Sequence, residues 1–226
     1  MTAFDPVCHT FAVDALLIDC DGVLVDSHNA AALAWNEWAR RWSPGFDFHR
    51  DIEHGRRIHD LVAELVAPSD ADEAAAELIA VELAHATEVP PLPGARELLS
   101  TSPAGTWAVV TSGGRALATA RMAAAGLPLP QVLVTAEDVS AGKPFPDPYL
   151  VGAGRLNTPP RRCAVFEDAP AGIAAARAAG VGTIIGVGAA AQTPDVAMTV
   201  TDLQGIVFDG GRLTIPVHAV LTDHHR

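Results

Sequence analysis

The chain has 226 residues, 49% of them hydrophobic and only 5% aromatic, which suits one α/β domain, with or without an insert, around a core of Ala, Val, Leu and Ile. A formal net charge of -12 argues against a nucleic-acid partner, because a phosphate backbone would be repelled over most of the surface. A small phosphate ligand is still open to it, since that needs only a few local cations and amide groups.

Residues 1–10 carry no basic start and no apolar stretch of signal length, so no targeting segment is expected. Residues 15–18, Ala-Leu-Leu-Ile, are a continuous apolar run that reads as a strand buried on both faces. Asp19-Cys20-Asp21-Gly22 follows at once. Gly22 lets the backbone turn sharply, so Asp19 and Asp21 are expected to project together from the strand's carboxyl end, where open α/β sheets bind ligands. Their mutual repulsion is best relieved by a cation between them. A plain polar turn predicts one acid there, not two bracketing a buried strand end.

The pattern then becomes helical. Trp35, Trp38 and Trp42 share one stripe at helical spacing and are expected to pack helix on helix rather than bind a ligand. Ser43-Pro44-Gly45 stops that helix; Ile58, Leu61, Val62 and Leu65 mark a second, closed by Pro68. The acids at residues 69–73 open a third, over 74–87. Pro90-Pro91-Leu92-Pro93-Gly94 is stiff and helix-incompatible, and reads as a hinge or linker.

Strands and helices alternate from there: strands at 106–111, 132–135, 163–166 and 182–187, with helices at 115–125, 148–156 and 172–179 between them. Repeated strand–helix units predict a parallel, doubly wound sheet. The block at 29–88 is therefore an all-helical insertion after the first strand, over the carboxyl-end crevice. Residues 205–208 and 212–215 flank Asp209-Gly210-Gly211, a hairpin signal, and residues 222–226 read as a frayed polar tail in which His224 and His225 form no metal site. Cys8, Cys20 and Cys163 are an odd number without metal-type spacing, so neither a disulfide framework nor a metal cluster is expected, and a reducing cytoplasm fits. Polar or Gly/Pro breaks interrupt every apolar run, so no membrane partner is expected.

Three further strand ends carry polar groups. Thr111-Ser112-Gly113-Gly114 offers a hydroxyl and free amides ahead of a helix, an anion site or a simple helix cap. Gly142-Lys143-Pro144 sets one lysine in a stiff loop, a phosphate ligand or a surface lysine. Glu167-Asp168 puts adjacent acids at a strand end opening a helix. With Asp19 and Asp21 on a neighbouring strand, a shared divalent cation accounts for them better than capping.

Taken together and in this order, Asp19-Cys20-Asp21-Gly22-Val23, Val109-Val110-Thr111-Ser112, Lys143 and Glu167-Asp168 resemble the four motifs of the haloacid dehalogenase-like (HAD) superfamily across essentially the whole chain. The resemblance implies a Rossmann-like catalytic core, residues 1–28 and 93–226, with a small all-helical cap at 29–92. It implies Asp19 as nucleophile, Asp21 as general acid and base, and Thr111, Ser112 and Lys143 as phosphate-binding groups. It implies Mg²⁺ held by Asp19, the main-chain carbonyl of Asp21 and Asp168, with Glu167 in its shell directly or through water. Asp26 is expected to order the turn after the first motif. The dehalogenases that name the superfamily lack an Asp at the position of Asp21, so phosphate chemistry is favoured.

Within the superfamily the chain looks like the sugar-phosphate and glycerol-phosphate phosphatases, including those acting on 2-deoxyglucose 6-phosphate. The segments that carry this likeness are residues 54–57, 111–113, 142–150 and 166–175. The resemblance implies a small phosphorylated sugar or polyol as substrate, read by His54, Arg56 and Arg57 of the cap; a solvated basic face is the alternative for those three. A β-phosphoglucomutase-like phosphomutase shares the motifs, and a catalytically idle sugar-phosphate-binding regulator is the alternative of a different class. The expected assembly is a monomer or small homo-oligomer.

Overall fold

The computed structural model describes residues 8–224. Its first half runs β1 (Cys8–Ala12), β2 (Ala15–Ile18), α1 (His28–Trp42), α2 (Phe48–Asp51), α3 (Ile58–Leu65), α4 (Ala71–His85) and α5 (Ala95–Thr101). The alternating part follows as β3 (Trp107–Val110), α6 (Arg115–Ala124), β4 (Val132–Val134), α7 (Asp147–Arg155), β5 (Cys163–Glu167), α8 (Pro170–Ala178) and β6 (Thr183–Val187). The chain closes with β7 (Met198–Val200), β8 (Val207–Phe208), β9 (Arg212–Pro216) and β10 (Val220–Asp223).

The main sheet has seven strands in the order β10-β7-β6-β5-β2-β3-β4, all neighbouring pairs parallel except β10 against β7. All four residues of β2 are buried, as its apolar run predicts. The period of two divides them: Leu16 and Ile18 join one hydrophobic cluster with Val109 and Phe166, while Ala15 and Leu17 join another with Val110 and Val165. Both faces of the sheet are thus covered, the condition for a doubly wound parallel sheet. Successive strands leave β2 towards β3 and β4, then return on its other side as β5, β6 and β7. The reversal sets the carboxyl ends of β2 and β5 side by side, and such a switch point opens a crevice for ligands.

Helices α1, α3 and α4 pack around a cluster of their own containing Trp35, Trp38, Phe48, Val62 and Leu78. The tryptophan stripe packs as its spacing predicts; Trp38 Nε1 donates to the carbonyl of Ala74 at 2.8 Å. The two strands of chain joining this layer to the sheet run together, Leu92 N bonding Leu24 O and Asp26 N bonding Pro90 O, each at 2.9 Å. The proline-rich segment therefore forms half of a paired, two-stranded connection.

Two features depart from expectation. The hairpin of β8 and β9 forms, but β9 also pairs with β1 to make a separate three-stranded antiparallel sheet. In β1 the half-buried His9 and Phe11 alternate with the exposed Thr10 and Ala12, a run too short to read locally. Thr222 and Asp223 are not frayed: they lie in β10, and His224 N bonds the carbonyl of Ala197 at 3.0 Å. The remaining tail positions, His225 and Arg226, lie outside the described residues, as do residues 1–7. Among the described residues the cysteines form no disulfide, and Cys20 and Cys163 are buried as small hydrophobes. Among the described residues, no helix is long and apolar enough to cross a membrane.

Candidate active site

The carboxyl ends of β2 and β5 supply the acids. Asp19 directly follows β2, Glu167 closes β5, and Asp168 comes next. Carboxylate oxygens of all three lie within 4.8 Å of one another. Lys143, from the loop before α7, is buried and donates to Asp19 Oδ1 at 2.7 Å and to Glu167 Oε1. Glu167 is engaged on both oxygens: Oε1 also accepts from the Tyr149 hydroxyl at 2.8 Å, and Oε2 from the Ala169 amide at 3.1 Å. One ammonium thus faces three carboxylates in a dry setting.

The electrostatics follow from that imbalance. Burial pushes Asp19 up to about 7, Lys143 opposing the shift and Glu167 adding to it. Burial, with Glu167 and Asp19 alongside, holds the Asp168 carboxyl well above the usual carboxylate range. Burial works to lower Lys143, but Asp19 and Glu167 outweigh it and keep the ammonium charged well above its ordinary value. A hard divalent cation between Asp19 and Asp168 would relieve this strain, and an all-oxygen donor set is what Mg²⁺ takes.

Two glycines let the acids meet. Gly22 has φ +79°, and a Cβ there would overlap the Asp168 carboxylate. Gly172, in the first turn of α8, leaves its space to the Glu167 carboxylate.

Asp19, Asp21, Asp168, Thr111, Ser112 and Gly113 share a cavity of about 140 Å³ whose opposite wall comes from α1, α3 and the turn between α2 and α3. Thr111 is buried, and its Oγ1 accepts from the Gly113 amide at 3.0 Å. Ser112 Oγ reaches across to the carbonyl of Gly55 at 2.6 Å, joining the sheet to the helical layer.

The three basic residues expected to read substrate separate. His54 lines the cavity beside His28, and burial lowers its affinity for a proton. Arg56 lines it as well, but is held by Glu53 at 2.6 Å and by Glu64. Arg57 does not line the cavity. Its guanidinium is clamped by Asp60, at 2.8 and 2.9 Å, and Nη1 donates to the carbonyl of Ser140 at 3.2 Å. Its stem also lies where a Cβ on Gly142 would stand, 2.6 Å from Arg57 Cγ, so it fastens the helical layer to the Lys143 loop. Asp26, expected to order the turn, bonds through its amide to the Pro90 carbonyl at 2.9 Å.

A second polar chain, not expected from the sequence, reaches the site from α6 and α4. Arg121, on α6, is buried; Nη1 donates to Asp21 Oδ1 at 2.9 Å and Nη2 to Glu82 Oε2 at 3.1 Å. Glu82 Oε1 in turn accepts from Trp35 Nε1 at 2.8 Å. Burial pushes Glu82 up, with Arg121 opposing. The available signal was positional: Glu82 follows Leu78 by four residues, which sets a carboxylate on the buried stripe of α4.

A doubly wound core with acids, a hydroxyl and one lysine at successive strand ends defines a phosphoryl-transfer class of site. The sequence pattern of the haloacid dehalogenase-like hydrolases matches residues 13–180, and the chain belongs to that family. It is similar to hexitol phosphatase A of Escherichia coli, with 45% identity over 79% of this chain and 84% of that one. It is also similar to glycerol-1-phosphate phosphohydrolase 1 of Saccharomyces cerevisiae, with 37% identity over 74% of this chain and 72% of the relative. The β-phosphoglucomutase of Clostridium difficile superposes with a TM-score of 0.72 over 84% of this chain and 92% of its own, at 22% identity, a likeness of fold alone. By family and by these relatives the chain is a phosphoric monoester hydrolase.

Proposed function

We propose that the chain is a Mg²⁺-dependent phosphatase that hydrolyses a small sugar or polyol phosphate through a phosphorylated Asp19. The observation that carries this reading is the cluster of Asp19, Glu167 and Asp168 around the Lys143 ammonium at the switch point of the sheet. Asp19, Asp168 and the main-chain carbonyl of Asp21 would hold the metal. Glu167, both of whose oxygens are engaged, anchors Lys143 and acts on the ion's shell at most through its remaining lone pairs. When bound, Mg²⁺ supplies positive charge that lets an anionic nucleophile approach an anionic phosphate.

The chain's own residues carry the proton and bond changes. An Asp19 oxygen attacks phosphorus in line, and the bond from phosphorus to the substrate oxygen breaks. Asp21 passes its proton to that leaving oxygen. Water then attacks the phosphorylated Asp19, gives its proton to Asp21, and releases phosphate with Asp19 restored. The Thr111 hydroxyl, the Ser112 amide and the Lys143 ammonium hold the other phosphate oxygens. Residues 29–92 serve as a cap over a core of residues 1–28 and 93–226, and the cavity between them takes the rest of the substrate.

The cavity favours one phosphate and a neutral alcohol. Its two arginines, Arg56 and Arg121, are each already paired with two carboxylates, so among the described lining residues neither is left to meet a second phosphate. A phosphomutase working through a sugar bisphosphate needs such a group. Hexitol and glycerol phosphates, the substrates in the names of two relatives, fit this description.

The test is phosphate release from hexitol, hexose, pentose and glycerol monophosphates with Mg²⁺, beside glucose 1-phosphate with its bisphosphate. Release from polyol or sugar monophosphates, lost with chelator and with Asp19→Asn, is the expected result. Interconversion of the glucose phosphates without release would replace this reading with the mutase.

A further inference from the structure

Trp35, Glu82 and Arg121 have no part in the proposed reaction, yet their line of hydrogen bonds ends on Asp21, the general acid. Its members come from both sides of the cavity: Trp35 and Glu82 from α1 and α4, Arg121 and Asp21 from the sheet layer. The side chains of Arg121 and Glu82 are each only 5% exposed, whereas Asp21 is 30% exposed. A buried ion pair is a weak source of stability, because desolvation of both charges offsets most of their attraction. This one is worse than average, since Arg121 Nε is buried without a partner. Stability alone therefore does not explain an arginine here; an arginine at this depth is explained by the geometry it imposes on what it holds.

We propose that Arg121 is a positioning residue for Asp21: clamped by Glu82 of the cap, it holds the acid by one oxygen and leaves the other turned to the leaving group. Arg121 takes Oδ1 of Asp21, and Oδ2 stands by Gly113, 4.0 Å from where a Cβ on that glycine would lie. Gly113 belongs to the loop that would hold the phosphate, so Oδ2 is the oxygen on the reacting side. Oδ2 is then aimed at the substrate oxygen, while the guanidinium against Oδ1 fixes the rotation of the carboxyl group. Because Glu82 rides on α4, the clamp is complete only when the helical layer sits on the sheet.

The inference rests on Asp21 being the general acid, and the experiment separates the two. Protonation matters for an alkyl leaving group, which departs as a strong base, and little for p-nitrophenolate. The ratio kcat/KM reports only the steps through departure of the alcohol. It is measured for glycerol phosphate, ethyl phosphate and p-nitrophenyl phosphate in the full chain with Mg²⁺. The variants are Arg121→Lys and the double variant Arg121→Met with Glu82→Gln, which leaves no lone buried charge and keeps an acceptor for Trp35. Matching urea midpoints verify folding.

The expected result is a loss of about a hundredfold on both alkyl phosphates, with less than about fivefold on p-nitrophenyl phosphate. Loss on glycerol phosphate but not ethyl phosphate would make Arg121 a reader of substrate hydroxyls and overturn the proposal. Equal loss on all three would reduce it to a structural role, and no loss would remove it from the reaction; either overturns it. Asp21→Asn, run in parallel, must show the same leaving-group pattern. If it does not, the assignment of Asp21 fails by itself, whatever Arg121 does.

Discussion

Gly22 and Asp168 compete for one space: the turn after the first strand passes so close to the Asp168 carboxylate that only a residue without a side chain fits. The same glycine has φ +79°, which an L side chain rarely adopts. Gly22→Ala should therefore displace Asp168 and strain the turn together. We expect a loss of roughly 2–4 kcal/mol in urea unfolding and a Mg²⁺ half-saturation raised at least about tenfold. Titration of activity with Mg²⁺ beside a denaturation curve measures both, and a variant with wild-type metal dependence would separate Gly22 from Asp168.

Asp19 links the site to pH. Folded, it titrates near 7, above the ordinary 3.8 of an exposed carboxyl, with burial as the main cause. The folded chain thus holds that proton more tightly than the unfolded chain. The stability it contributes is fully present below about 4 and is lost as pH rises through 7. In metal-free protein, Asp19→Asn should gain on the wild type by a few kcal/mol between pH 4 and pH 8, while turnover with Mg²⁺ falls at least about a thousandfold. Urea midpoints at several pH values with chelator present test this. A difference that stays flat across the range contradicts it.

Arg57 bears on the two layers rather than on substrate. Its bonds run to Asp60 and to the Ser140 carbonyl beside the lysine loop. Arg57→Ala should lower kcat/KM by about tenfold, the equivalent of one charged hydrogen bond, and by the same factor for glycerol phosphate and p-nitrophenyl phosphate. A loss confined to the polyol substrate would return Arg57 to specificity.

Asp138 offers an acid-stability test away from the site. It accepts from Arg155 at 2.7 Å, from Arg115 at 2.6 Å and from the Thr135 amide at 2.9 Å. Burial works to raise it, but Arg155 and Thr135 outweigh burial and draw it down to about 2. Its contribution is present above about 4 and lost as pH falls through 2. Asp138→Asn should cost about 1–2 kcal/mol at pH 7, allowing for the solvent around both arginines, and the gap to wild type should close between pH 4 and pH 2. Paired denaturation curves across that range decide it.

What the sequence by itself determined lies at the ends of strands. The apolar run of residues 15–18, the acids after it and the alternation beyond residue 106 are local patterns, and a parallel sheet turns them directly into a crevice with ligands at its rim. Asp19, Asp168, Glu167 and Lys143 meet there because each closes or follows a strand, or precedes a helix, whose place in the sheet the alternation dictates. Tertiary structure alone decided the rest. Arg121 and Asp21 are 100 residues apart, and Arg121 and Glu82 are 39 apart on different helices, so their pairing depends on how α4 packs on α6. Arg57, read as a substrate contact beside His54, turns the other way because Asp60 clamps it and Gly142 leaves room for its stem. The edge strands β1 and β10 escaped notice for a related reason: strand pairing with a distant segment supplies hydrogen bonds that no short stretch of sequence reveals.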